Sequence, residues 1–468
     1  MLRFNSDCKT GNCHRHLGLL NAALAVLLTA PSVGLAAPNS SDGGARVHQQ
    51  QAAVARSEEI MAEAQTHKGM LAQYVFMRDS YASNTDVSFR LIFNQYLSWY
   101  QTWVGDYVGA RDSFSILQKP ERDDSASPLE SSDWHAEPAV DVITRLAKGK
   151  KAVFFNENHS FPLTRTLTVK MLAALRKEGF DTFAAETLNQ PDMAALQKRG
   201  YVIHETGFYT EEPIYAEMVN EALKLGYRVV AYEALSDATG DAREEEQAQN
   251  LKRDVFADHP DARLVVNAGY AHIQEHGKYL GGKAMAQHFK GLTHIDPLTI
   301  EQTMLIPHDK ITSDHPYYRD VMTKLMPTQP IVFVDKEGKP WSLKEKAYDL
   351  SVFFPEEVEQ LGRPTWLSLL GMRQAFRVSG RMCDLSYPCM VEARLVGRPD
   401  DAVPADRVVI NFKSRIVGYG DKVRQSSDPF PTAELWLRPG NYETLSRDMS
   451  NQARHRQTIK VGAGKPKP

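Results

Sequence analysis

Between Lys151 and Asn267 the chain alternates short apolar runs with amphipathic stretches. The runs are Lys151–Phe155, Thr182–Ala185, Arg228–Tyr232 and Arg263–Asn267, each of strand length. The stretches Leu163–Glu178, Ile214–Leu225, Arg243–Ala257 and Lys283–Lys290 carry apolar residues at helical spacing. Strands alternating with helices predict an α/β fold with a mostly parallel sheet flanked by helices, over residues 138–330. A last apolar segment, Thr293–Ile295, leads into Asp296-Pro297.

Before this region the pattern is helical only. Ala45 to about Ser83 favours helix, and a second helix begins in Ser83-Asn84-Thr85-Asp86. That second helix carries Phe89, Ile92, Phe93, Tyr96, Trp99, Tyr100, Trp103 and Tyr107 on one face, which predicts a helical hairpin packed on the main domain. Residues 38–117 are thus a helical segment, and 118–137, rich in Asp, Ser and Pro, a linker. Beyond residue 331 the pattern alternates with period two: Met390–Val396, Arg407–Phe412 and Glu434–Leu437 read as strands, and Asp335–Lys339 and Arg438–Asn441 as turns. This predicts a small β-rich C-terminal domain over 331–468 with a disordered Lys-Pro-Lys-Pro tail.

Composition narrows the picture. The 468 residues are 42% hydrophobic, and 55 Lys and Arg face 58 Asp and Glu for a net charge of −3, which gives no reason to expect nucleic acid as a partner. Arg3, Lys9 and Arg15 precede the apolar segment Leu17–Ala30, with small residues at Gly34-Leu35-Ala36-Ala37. Residues 1–37 therefore read as a cleaved signal peptide, predicting a periplasmic or secreted protein with no membrane span once it is removed. Cys8 and Cys13 go with the signal, and Cys383 and Cys389 remain to close a small disulfide loop in an oxidising compartment.

Ligands of open parallel sheets bind beyond the carboxyl ends of the strands. Here the four strands end in Asn156-Glu157-Asn158-His159, in Ala185-Glu186-Thr187, in Tyr232-Glu233-Ala234 and in Gly269-Tyr270-Ala271-His272. Taken singly, a Glu at a strand end is a solvated charge or the partner of a helix terminus. Four ionisable strand ends at one level instead predict a site. Carboxylates sharing a partly dry cleft need a cation to stay ionised together. Arg243 is one source, on a helical face with Gln247 and Asn250, whereas Glu245 reads as a solvent charge. A divalent metal is the other: His159 and His272 with Glu157 or Glu186 form an N/O set able to hold Zn²⁺ or Mn²⁺. Without a metal, an imidazole oriented by a Glu serves as general base for water. Tyr209 and Tyr215 lie on the loop and helix entry after the second strand, where packing is the plainer explanation, and His204 and Glu205 lie just before. No Gly-x-Ser-x-Gly elbow, P-loop or dinucleotide fingerprint is present.

The order Asn156-Glu157-Asn158-His159, then Glu186, then Arg243-Glu244 opening a helix, then Gly269-Tyr270-Ala271-His272 resembles the superfamily of erythromycin esterases, ChaN-like haem-uptake proteins and Tiki/TraB proteins. The likeness spans about Pro138 to Leu305 and is greatest to the esterase branch. It implies that Glu157, His159, Glu186, Arg243 and His272 line the site; Tyr209, Glu233 and Tyr270, on the loop and strand ends beside them, are candidate substrate contacts by position. Asn156 stands where the family has Gly, which predicts a left-handed turn made by Asn. The expectation is an exported hydrolase that activates water to cleave an ester or amide of a small-molecule or peptide substrate, with or without a metal. The alternative is a haem- or metal-binding uptake protein that uses the same rim without catalysis.

Overall fold

The computed structural model describes residues 42–411 and 430–462, so the signal segment, the C-terminal tail and Phe412 lie outside the described residues. The N-terminal helices are α1 (Asp42–Ala64), α2 (Met70–Ser83), α3 (Val87–Trp103) and α4 (Tyr107–Ser113). The helix-forming stretch expected up to Ser83 is broken in two: α1 ends at Ala64, and Gly69, at φ 91, stands outside helical geometry as the N-cap residue of α2. Asp86 caps α3 by accepting from the Phe89 N–H at 2.8 Å, and Asp106 caps α4 by accepting from Gly109 N at 3.1 Å. Tyr107 therefore belongs to a separate helix. The aromatic face of α3 is buried as its spacing predicts, and it joins one apolar cluster with the α/β region.

That region runs β1 (His135–Pro138), α5 (Ala139–Ala147), β2 (Ala152–Glu157), α6 (Leu163–Lys177), β3 (Thr182–Ala185), α7 (Met193–Arg199), α8 (Pro213–Lys224) and β4 (Arg228–Ala231). It continues with α9 (Asp241–Leu251), β5 (Leu264–Gly269), α10 (Met285–Thr293), β6 (Leu298–Glu301), α11 (Pro316–Leu325), β7 (Ile331–Val334) and β8 (Leu350–Ser351). Six strands form one parallel sheet in the order β4-β3-β5-β2-β6-β8. Both faces are covered. Val153, Phe155 and Phe183 point into the cluster with α5, α6, α8 and the N-terminal helices, while Ala152, Phe154 and Ala184 pack on Leu251 of α9 and Phe289 of α10.

Two boundaries differ from the sequence pattern. The fifth strand of the sheet does not include the apolar segment Thr293–Ile295. His294 closes α10 in a left-handed conformation at φ 58, and the strand starts only after Pro297. The region also extends past residue 330. β7 pairs antiparallel with β1, and β8 is the edge strand of the parallel sheet. The Asp335–Lys339 turn follows β7, with Asp335 N donating to Lys339 O at 3.0 Å.

The C-terminal part contains β9 (Glu359–Gln360), β10 (Arg363–Pro364), β11 (Gln374–Ser379), β12 (Cys389–Leu395), β13 (Asp406–Ile410), β14 (Thr432–Leu437), β15 (Gly440–Arg447) and β16 (Ala453–Val461). An antiparallel sheet β13-β12-β15-β16 and the ladder β11-β14 share an apolar cluster, so the region is β-rich. Cys383 and Cys389 form a disulfide. Buried arginines fix this part to the rest: Arg363, paired with Asp406 inside the part at 2.7 Å, donates to Gly105 O at 3.0 Å, and Arg407 donates to Trp103 O at 2.8 Å and Glu211 O at 2.9 Å.

Candidate functional site

The register of the parallel sheet brings the strand ends to one level. Glu157 of β2 pairs with Gly269 of β5, and Ala185 of β3 pairs with Asn267 of β5 and Ala231 of β4. The residues that follow, His159, Glu186, Glu233 and His272, are brought together in a compartment closed to solvent, with His159, Glu186 and His272 each at most 5% exposed.

His159 is held from its far side. Its Nδ1 lies 2.9 Å from Glu157 Oε1. Glu157 also accepts from Arg165 Nε at 2.7 Å, Arg165 Nη2 at 2.8 Å and Asn267 Nδ2 at 2.9 Å. Burial pushes the Glu157 carboxyl up, but the Arg165 charge and these bonds outweigh it and hold it at about 2. Arg165 is bracketed in turn: its Nη1 donates to Glu212 Oε2 at 2.8 Å, and Glu212 accepts from Tyr107 OH, Ile214 N and Tyr215 N, each at 2.7 Å. The imidazole is therefore fixed with its proton on Nδ1, leaving Nε2 as the free nitrogen.

His272 repeats the arrangement. Its Nδ1 lies 2.7 Å from Glu244 Oε2, which also accepts from Met285 N at 2.9 Å. Burial pushes the His272 imidazole down, and the negative charges of Glu244 and Glu186 more than reverse this, so its pKa is raised and the imidazolium is favoured.

Glu186 lies between the two rings. Its Oε2 is 3.8 Å from His159 Nε2 and its Oε1 is 3.5 Å from His272 Nε2. Gly269 N donates to Oε2 at 2.6 Å and Arg243 Nη2 to Oε1 at 3.4 Å. Burial pushes the Glu186 carboxyl up, and His272, His159 and Arg243 together pull it below the ordinary range. Gly269 is required sterically: a Cβ there would sit 2.2 Å from His159 Nε2 and 3.0 Å from Glu186 Oε2.

The expected substrate contacts form walls. Tyr209 stacks on His159 with ring centroids 4.1 Å apart, and Tyr270 meets it edge-on at 5.1 Å while its hydroxyl donates to Asn158 Oδ1 at 3.2 Å. Tyr215 donates to the backbone oxygen of Glu186. Glu233 orients Arg243, accepting from its Nε at 3.1 Å and Nη2 at 3.0 Å, and takes a further bond from Gln247 at 2.9 Å. His204 pairs instead with Glu211, and Glu245 is exposed. Asn156 does not make the left-handed turn. It is a residue of β2, and its side chain ties Tyr270 O to Gln302 N, at 2.8 Å and 2.6 Å. The left-handed residues are Thr187 at φ 60, two residues past the end of β3, and Tyr270 at φ 42, one past the end of β5.

The donor set does not fit a metal well. Both Glu157 oxygens are taken by Arg165, Asn267 and His159, which leaves His159 Nε2, His272 Nε2 and Glu186, with the Arg243 guanidinium against the last. Among the described residues no group of three or more His, Cys, Asp or Glu side chains is arranged to hold an ion. Nor does the set suit haem, because each Nε2 faces a carboxylate within 3.8 Å rather than an apolar slot.

Arg165, Glu212 and Asn267 complete the site without having been singled out from the sequence, and Glu244 and Gly269, which the motifs contain, join it without having been named as site residues. One signal was readable for Arg165, a cation in the first turn of an amphipathic helix between the core positions Leu163 and Leu167.

Fold and site together define an α/β protein with two carboxylate-held imidazoles facing a third carboxylate at the carboxyl edge of a parallel sheet. No protein-family model and no curated protein matches the chain. Solved structures with partial likeness are the type III effector HopBA1 (14% identity, 36% of this chain and 87% of that one, TM-score 0.25), and RRSP, a MARTX toxin effector domain from Vibrio vulnificus (16%, 54% and 56%, 0.27). A structure described as bacterial protein toxins has 13% identity, 49% and 54% coverage and a TM-score of 0.30. The chain spans about half the length of the last two. At these scores none of the three bears on the activity of this chain. Among the described residues no helix is long and apolar enough to cross a membrane.

Proposed function

We propose that the chain is an exported hydrolase of the erythromycin-esterase-like branch, cleaving an ester or amide through His159 and His272. One observation carries this reading: each imidazole has its Nδ1 fixed on a buried carboxylate, and both Nε2 atoms face Glu186. His159, with a free Nε2, is the general base that takes a proton from water as its oxygen attacks the carbonyl carbon. His272, favoured as imidazolium, gives its Nε2 proton to the departing alcohol or amine. The products are a carboxylic acid and that alcohol or amine. His159 then holds the extra proton and His272 lacks one, and Glu186 between them carries the proton back. Arg243 and the Gly269 N–H keep Glu186 ionised for this task. The disulfide supports export to an oxidising compartment.

The test is turnover of p-nitrophenyl esters and of a peptide library by the chain and by His159→Ala, His272→Ala and Glu186→Gln. Each variant is expected to melt cooperatively and to lose turnover. A folded His159→Ala protein with undiminished activity would refute the assignment.

A further inference from the structure

The groups that do the chemistry are sealed, so something must move for a substrate to reach them. The wall on the His159 side is deep core. Tyr209 stacks on the ring and packs on Phe208, and Phe208 lies edge-on to Trp99 and Trp103 at 5.2 and 5.3 Å. The wall on the His272 side is built differently. Tyr279 meets the His272 ring edge-on with centroids 5.0 Å apart. It stands on a surface loop in which His276, Gly277, Lys278 and Gly281 are exposed. The loop turns tightly at its tip: Tyr279 N donates to Gly282 O at 2.9 Å and Gly282 N to Tyr279 O at 3.0 Å. The two residues between, Leu280 and Gly281, have φ 51 and 91, so a leucine is held in the left-handed region. The loop's backbone is fastened to the body by Glu275 N to Ala347 O at 2.8 Å, Gln287 Nε2 to Gly277 O at 3.0 Å and Lys283 N to Asp241 Oδ1 at 2.6 Å.

Tyr279 itself is nine-tenths buried, and its hydroxyl is sealed from solvent without a hydrogen-bond partner. The same holds for Glu244 Oε1 and Arg243 Nη1, whose charges lie close enough to bear on the Tyr279 hydroxyl. A buried phenol without a partner is costly, and a loop that holds it there with a strained leucine is inexpensive to open.

We propose that residues 274–283 are the gate of the site and that Tyr279 is its plug and a further substrate-contacting residue. With the loop open, the substrate enters from the His272 side. With it reclosed, the Tyr279 hydroxyl donates to the carbonyl oxygen of the bound ester or amide. The gate follows from the burial of the site, and the contact rests on the hydrolase reading.

The test separates the two. Diethyl pyrocarbonate modification of the full chain, read by peptide mass spectrometry, reports the accessibility of His159, His272 and the exposed His276 without any substrate. Tyr279→Ala is expected to speed modification of His272 by at least about fivefold, the size of a modest local opening. An Asp241→Cys/Lys283→Cys pair, oxidised, is expected to protect both His159 and His272 until reduced. Unchanged His272 modification in both variants overturns the gate. Tyr279→Phe keeps the plug but lacks the hydroxyl, so protection should match the parent while kcat falls and KM holds. A parent-like kcat overturns the contact. If the parent chain turns over no ester or amide, the hydrolase and the contact fall together and the modification rates still decide the gate.

Discussion

Replacing Glu244 by Gln changes one charge and almost no shape. In the parent, Glu244 Oε2 receives His272 Nδ1 at 2.7 Å and Met285 N at 2.9 Å, while Oε1 lies 3.6 Å from Arg243 Nη1. A Gln oxygen in the Oε2 position keeps both accepted bonds, and its amide NH₂ then faces the guanidinium, donor to donor. What is lost is the charge-assisted part of a buried hydrogen bond, worth about 1.5–3 kcal/mol. The sign for His272 follows: burial presses its pKa down, Glu244 is the first of the groups that raise it, and without that charge the imidazole titrates lower. A raised histidine stabilises the fold below its unfolded-state pKa of about 6.5, and that benefit is lost as pH rises through the folded-state value. The parent's stability advantage over Glu244→Gln should therefore be largest near pH 5–6 and shrink at higher pH. With His272 as the acid, the same energy lowers its pKa, so above neutral pH the imidazolium fraction and kcat fall by up to about 10–100-fold. The assays are urea unfolding across pH, NMR titration of the imidazole, and ester turnover. A variant whose His272 titrates as in the parent, with turnover within about twofold, would refute the role given to Glu244.

Gly269→Ala should abolish turnover while costing about 1–3 kcal/mol in thermal unfolding, because the new Cβ displaces His159 rather than the core. Glu157→Gln should cost about 3–5 kcal/mol by leaving Arg165 partly unpaired. The Glu157 carboxyl is held at about 2, so its stabilisation is full above the unfolded value and lost as pH falls through about 2. The gap between parent and variant urea midpoints should accordingly persist at pH 4–5 and close only in stronger acid, as roughly placed by that linkage. Cys383→Ser/Cys389→Ser should lower stability by about 2 kcal/mol, as expected for a short closed loop, and leave turnover intact. Dialysis against a chelator should leave turnover unchanged and the visible spectrum free of a haem band; reactivation by added Zn²⁺ or Mn²⁺ would instead place a metal in the site.

What could be read from the sequence was local and periodic. Thr182–Ala185 is a strand with the bounds its apolar run indicates, and the polar residues after β2, β3, β4 and β5 gather because parallel pairing puts strand ends at one level. Where local signals conflict, the pattern misleads. Thr293–Ile295 is apolar enough for a strand, but the left-handed turn at His294 and the following Pro297 delay it to Leu298. β8 has two residues, too few to show any period, so the edge strand of the sheet was invisible. The partners of the site were hidden for a different reason. Tyr107 and Glu212 are 105 residues apart, as Glu157 and Asn267 are 110, and nothing in one sequence pairs such positions. Glu244 stands in a run of three glutamates of which only Glu245 reads as a solvent charge, as it is; nothing in the run itself marks Glu244 as the buried one.

The two imidazoles are supported by similar arms that end differently. In each arm an arginine from the first turn of a helix is bracketed by carboxylates: Arg165 of α6 between Glu157 and Glu212, and Arg243 of α9 between Glu233, Glu186 and Glu244. Backbone N–H groups complete the pattern, with Ile214 and Tyr215 on Glu212, Ala234 on Glu233, Met285 on Glu244 and Gly269 on Glu186. Five carboxylates share this dry compartment, and each meets a cation or an oriented amide, or both. The His159 arm is then locked from outside, since Tyr107 of α4 donates to Glu212 and Arg407 of β13 donates to Trp103 O and to Glu211 O next in the chain. The helical segment and the β-rich region thus brace the His159 arm, and disrupting either should disturb His159 before His272. The His272 arm is covered by the Tyr279 loop, so His272 faces the side proposed to open. Under the proposed hydrolase reading, a base held rigid and an acid on the side where substrate enters would account for two such different walls around one carboxylate.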